Sequence, residues 1–154
     1  MKQRPFLKSS KSLLIDKNMK SGWVGFDLDG TLAFYDGWVG EEHIGPPIRE
    51  MVERAKELIE KGIEIRIVTA RASTGQKRII EKIQDWAEEQ GLGRPVVTCE
   101  KDYKMICLYD DRCLQVYPNT GMLVSEYVEK LQRRIEILES ELESKYVYRR
   151  KRRI

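Results

Sequence analysis

The chain has 154 residues, 41% of them hydrophobic and 34% charged, with a formal net charge of +3. That length suits one domain with a real core and no need of disulfides. No apolar run reaches the about 18 residues of a membrane span, and three cysteines without a CxxC pair, beside a single histidine (His43), argue against a structural zinc site.

The charge is unevenly spread. Residues 145–154 hold Lys145, Arg149, Arg150, Lys151, Arg152 and Arg153 and no acid, which leaves residues 1–144 at −3. Such a tail is either an electrostatic arm for nucleic acid or a solubilising end. Cys107 and Cys113 lie in apolar stretches and are expected to pack as small hydrophobes, which with Cys99 points to a reducing, cytoplasmic setting. The first 20 residues hold only short apolar pieces, so no signal peptide is expected.

In chain order, residues 1–21 are rich in lysine and serine without periodicity and read as a flexible arm. A strand is expected at 22–28. The glycines, prolines and aromatics of 33–47 (Phe34, Tyr35, Trp38, with His43) make a loop or short hairpin. Ile48, Met51, Val52, Ala55, Leu58 and Ile59 recur at helical spacing. They predict a helix over 47–61, with Pro47 in its first turn and Gly62 as its stop. Ile63, Ile65 and Ile67 alternate and predict a strand ending near Thr69. A second helix over 74–90 carries Ile79, Ile80, Ile83, Trp86 and Ala87 and stops at Gly91. Residues 95–98 form a short strand. Met105–Tyr109 is continuously apolar, as in a strand covered on both faces. Residues 114–117 are expected as an edge strand, and Asn119-Thr120-Gly121 as a turn.

Strands alternating with helices imply a parallel sheet with right-handed crossovers. From Val124 the pattern changes. Val124, Val128, Leu131, Ile135, Leu138 and Leu142 are spaced 4, 3, 4, 3, 4, a heptad seam. A helix over 124–145, about 33 Å long at 1.5 Å per residue, either packs on the sheet or self-associates as a homodimer. The divisions are thus an arm (1–21), an α/β domain (22–123), a C-terminal helix (124–145) and a basic tail (146–154).

The chemistry gathers at strand ends. Trp23 to Phe26 leads into Asp27, and Asp29, Gly30 and Thr31 follow. In a regular strand Asp27 and Asp29 point the same way, and two adjacent carboxylates call for a cation or a shared proton. Thr69 ends the second strand and Asp110-Asp111 end the run 105–109. In an open α/β sheet, ligands bind beyond the carboxyl ends of the strands, so these residues converge if the strands are parallel neighbours.

Asp27-Leu28-Asp29-Gly30-Thr31-Leu32 resembles the first motif of the haloacid dehalogenase-like (HAD) hydrolase superfamily. Thr69 in Val68-Thr69-Ala70-Arg71 resembles its second motif, Lys101 its third and Asp110-Asp111 its fourth. The stretches between motifs are too short for an added cap domain. The resemblance implies a capless α/β, Rossmann-like parallel sheet with helices on both faces. It implies a Mg²⁺-dependent phosphomonoesterase with Asp27 as nucleophile and Asp29 as general acid/base. Thr69 would bind a phosphoryl oxygen and Lys101 would neutralise charge, although Asp102 follows where a proline is frequent and Lys104 is a rival. Mg²⁺ would be held by Asp27, the Asp29 carbonyl and Asp110, with Asp111 orienting a water or Lys101. Gly30 permits the turn beside the substrate. Arg71 either contacts substrate phosphate or is a solvated loop cation. Tyr109-Asp110-Asp111-Arg112, with Val116 and Gly121, is also similar to the phosphatase domain of polynucleotide kinases. The substrate classes implied are a nucleotide, another phosphorylated small molecule or a nucleic-acid end.

Overall fold

The computed structural model of the chain describes residues 21–151, and side chains through Tyr146. The arm expected over 1–21, apart from Ser21, and the end of the basic tail lie outside the described residues. The described chain falls into two compact units, one ending at Asp111 and the other beginning at Arg112. The division comes earlier than the heptad onset at Val124.

The first unit is a four-stranded sheet of β1 (Trp23–Phe26), β2 (Glu64–Val68), β3 (Val96–Thr98) and β4 (Met105–Tyr109), with α1 (Arg49–Glu60) and α2 (Lys77–Glu89). The order is β3-β2-β1-β4 and every pairing is parallel. Phe26 stands beside Ile67 on one flank and Tyr109 on the other. The crossovers β1-α1-β2 and β2-α2-β3 step in the same direction, so right-handed connections put both helices on one face. The core agrees. Val24, Phe26, Ile65 and Ile67 form one buried cluster with Val52, Ala55 and Leu58 of α1 and Ile79, Ile83, Trp86 and Ala87 of α2.

The expectation of helices on both faces is therefore corrected within this unit. Trp23 and Arg66 alternate away from Val24 and Ile65. On their side the β3–β4 connection takes the place of a helix: Asp102 accepts from Trp23 Nε1 (2.9 Å) and from Arg66 (3.1 Å). Arg66 also lies 4.4 Å from the Trp23 ring centre. β4 is an edge strand with Ile106 38% exposed, so it is not covered on both faces as its apolar run suggested.

Both helices stop where their glycines predict. Gly62 N–H donates to Ile59 O and Ile63 N–H to Leu58 O; Gly91 N–H donates to Glu88 O and Leu92 N–H to Ala87 O. With Gly62 at φ +74° and Gly91 at φ +79°, these are Schellman ends. The helix starts differ from expectation. Ile48 caps α1, so Pro47 precedes the helix. A 3₁₀ turn over Ala70–Thr74 delays α2 to Lys77.

In the second unit, 114–117 is not a strand of the sheet. Val116 bridges Leu123 antiparallel; Tyr117 N–H donates to Met122 O and Val124 N–H to Gln115 O. The local hairpin around Asn119 (φ 61°) thus satisfies these groups. Helix α3 spans Val124–Lys151, running on into the expected tail. Glu126 accepts from Leu123 N–H at 3.0 Å, half of a capping box that fixes its start. Cys113 is exposed rather than packed. No helix of the described residues is long and apolar enough to cross a membrane.

Candidate active site

β1 is central, and its carboxyl end lies beside that of β4. Asp27 N–H donates to Tyr109 O at 2.8 Å, extending the ladder one residue past the strand. The chain then turns. Leu32 N–H and Ala33 N–H both return to Leu28 O, and Gly30 N–H donates to Ala33 O at 2.8 Å. Leu28 is fully buried in the middle of this turn, so its core packing anchors the two flanking aspartates.

This turn gathers three carboxylates. One oxygen each of Asp27, Asp110 and Asp111 lie within 4.8 Å of one another. Two contacts hold the Asp110-Asp111 pair there. Asp111 N–H donates to the buried Thr31 hydroxyl oxygen at 3.1 Å, and Gly30 makes room, since a Cβ on it would stand 2.7 Å from Asp111 Oδ2. Gly30, at φ +89°, thus admits Asp111; its own N–H is occupied by Ala33. Thr31 is the residue whose role sequence reasoning missed. Its position just after the Asp-Gly turn was the available signal.

Charge and burial act together on Asp27. Its carboxyl is raised to about 7, chiefly by desolvation, with the Leu28 backbone N–H opposing the rise and the charges of Asp110, Asp111 and Asp29 contributing to it. The crowding at Asp27 comes more from Asp110 and Asp111 than from Asp29, its neighbour in sequence.

Asp29 has its own partner. Arg71 Nε donates to Oδ2 and Nη2 to Oδ1, both at 2.7 Å, a bidentate pair. Nη1 donates to Glu41 O (2.6 Å) and Gly40 O (3.3 Å), and the guanidinium carbon lies 5.0 Å from the Trp38 ring centre. Arg71 is only 7% exposed. It is not a solvated loop cation; it ties Asp29 to the 40–41 loop and is committed to that carboxylate. Thr69, buried at the end of β2, accepts from Arg71 N–H at 3.3 Å and so starts the 3₁₀ turn that aims the guanidinium.

Lys101 and Lys104 are exposed. Among the described residues, Lys101 makes no hydrogen bond or ion pair, and it precedes Asp102, which is fastened to Trp23 and Arg66. His43 is exposed in the 34–47 loop. That loop closes as the hairpin expectation had it, through the Ala33–Pro47 bridge and Phe34 N–H to Pro46 O at 2.8 Å.

No protein-family model matches the chain, and no curated protein matches it. A solved structure similar to it is that of a conserved protein coded by a locus of Bacteroides thetaiotaomicron. That chain is 20% identical at a TM-score of 0.46, over 62% of this chain and 80% of the other.

Proposed function

We propose that this chain is a Mg²⁺-dependent phosphomonoester hydrolase of the HAD type, working through an aspartyl-phosphate on Asp27. The observation that carries the reading is the convergence of Asp27, Asp110 and Asp111 at the carboxyl ends of two paired parallel strands. The donor set fits a hard divalent cation, since all three side chains offer carboxylate oxygen. Mg²⁺, when bound by these three residues, neutralises their crowded charge and that of an incoming phosphoryl group.

The residues then divide the work. Asp27 attacks phosphorus in line, the bond from phosphorus to the ester oxygen breaks, and water hydrolyses the acyl phosphate to return the carboxylate. The departing oxygen takes a proton and the attacking water gives one up. We assign both transfers to Asp29, the role the resemblance implies for it. Its two oxygens accept from Arg71, and each keeps a second lone pair with which to hold or release a proton. The resemblance gives Lys101 the neutralising role, and its exposed side chain precedes Asp102, which Trp23 and Arg66 hold.

The basic run at 145–154 favours a nucleic-acid terminal phosphate among substrates. The test is phosphate release from an aryl phosphate with Mg²⁺ and with chelator, for the wild type and Asp27→Asn. Metal-dependent release that the variant lacks supports the reading. Release that survives in Asp27→Asn overturns it.

A further inference from the structure

Helix α3 carries an apolar stripe that its own unit leaves open. Val128, Leu131, Ile135, Leu138 and Leu142 are between 41% and 66% exposed. A helix of 28 residues with an uncovered stripe lacks the tertiary packing that normally stabilises helices in water. We infer that α3 pairs with α3 of a second copy of this chain as a parallel two-stranded coiled coil.

Three features select that occupant and that orientation. The heptad frame places Val128, Ile135 and Leu142 at a and Val124, Leu131 and Leu138 at d. β-Branched residues at a with leucine at d favour two parallel strands and the reverse arrangement favours larger bundles; the central positions Val128, Leu131, Ile135 and Leu138 follow the first rule, and Val124 and Leu142 at the ends depart from it. The flanking positions are charge-complementary to themselves. Arg134 falls at g and Glu139 at the e position five residues on, so a parallel pair brings Arg134 of one chain beside Glu139 of the other, twice by symmetry. The other flanking pairs of the seam, Tyr127 with Gln132 and Glu141 with Tyr146, set no like charges together.

The orientation has a distinct signature. In the antiparallel arrangement with Ile135 facing Leu138, the partner of Arg134 is Glu141 rather than Glu139. Arg134→Glu also leaves the helix itself intact, because glutamate forms helix about as well as arginine and the change removes the like-charge i,i+4 pair of Lys130 and Arg134. The association does not depend on the hydrolase reading.

The test is sedimentation equilibrium of the full chain over a dilution series, with helicity followed by circular dichroism. The wild type is expected to be a concentration-dependent dimer, and Leu131→Asp a monomer. Arg134→Glu is expected to weaken the dimer about tenfold, as two attractive pairs become repulsive, with helicity kept at high concentration. Glu139→Arg added to Arg134→Glu restores it. A wild type that stays monomeric, a trimer or larger assembly, or rescue by Glu141→Arg in place of Glu139→Arg, overturns the inference.

Discussion

Arg71 holds both oxygens of Asp29 at 2.7 Å and, through its third nitrogen, the carbonyls of Gly40 and Glu41. One buried guanidinium thus joins the end of β2, the turn after β1 and the loop that follows. Arg71→Ala strands a carboxylate only 17% exposed. The expected loss of stability in urea unfolding is about 3 kcal/mol, the lower end for breaking a buried pair. Asp29→Asn in the Arg71→Ala background should recover part of that loss. Strictly additive losses would mean that the two side chains are not coupled.

Asp27 makes the metal-free protein sensitive to pH in one direction. Its carboxyl is raised from 3.8 to about 7, chiefly by burial and then by the neighbouring acids. Between those values the folded chain keeps a proton that the unfolded chain has lost, so stability falls as pH rises through the window. In chelator, the melting temperature should drop across it more for the wild type than for Asp27→Asn. Parallel profiles for the two proteins would remove Asp27 as the cause.

Cation binding should reverse that penalty. Mg²⁺ at about 100 times its dissociation constant is expected to add about 2.7 kcal/mol to unfolding. Asp110→Asn and Asp111→Asn should each lose most of the gain, because each takes one carboxylate charge from the set. A gain that persists in either variant places the cation elsewhere.

Gly30→Ala and Gly62→Ala separate two costs of adding a methyl group. Both glycines have positive φ, +89° and +74°, and an alanine there costs about 1–2 kcal/mol. Only at Gly30 does the new Cβ meet Asp111; at Gly62 it meets nothing within 4 Å. Gly30→Ala should therefore be the less stable of the two in urea and should also bind Mg²⁺ more weakly. Equal stability and unchanged metal affinity would show that Asp111 moves aside freely.

Local signals carried far along this chain. The apolar run Met105–Tyr109 is β4 to the residue, and Gly62 and Gly91 end their helices because a left-handed residue is what those ends require. The failures are tertiary. An apolar run reads the same in an edge strand as in a covered one, which misplaced β4. Backbone hydrogen bonds can be spent in a local hairpin as well as in a sheet, which misplaced Leu114–Tyr117. The site divides in the same way. Asp27, Asp110 and Asp111 were legible because each ends a strand, and parallel order brings strand ends together. The commitment of Arg71 to Asp29 was not, because it depends on the 3₁₀ turn after Thr69 and on loop carbonyls from far away in sequence.

The position of β4 bears on the order in which the chain takes shape. β1 pairs on one side with β2 and on the other with the strand farthest from it in sequence. During synthesis β1, α1, β2, α2 and β3 are complete before β4 has been made, so three of the four strands can pair first. Asp27 then sits at an open flank in contact with water and carries its charge at little cost. The β1–β4 pairing spans the longest stretch of sequence of the sheet's three strand pairs, the kind of long-range contact that slows folding, and it also brings in Asp110 and Asp111. The repulsion between the three acids therefore arises only when β4 lies beside β1, and a divalent ion that offsets it favours that pairing.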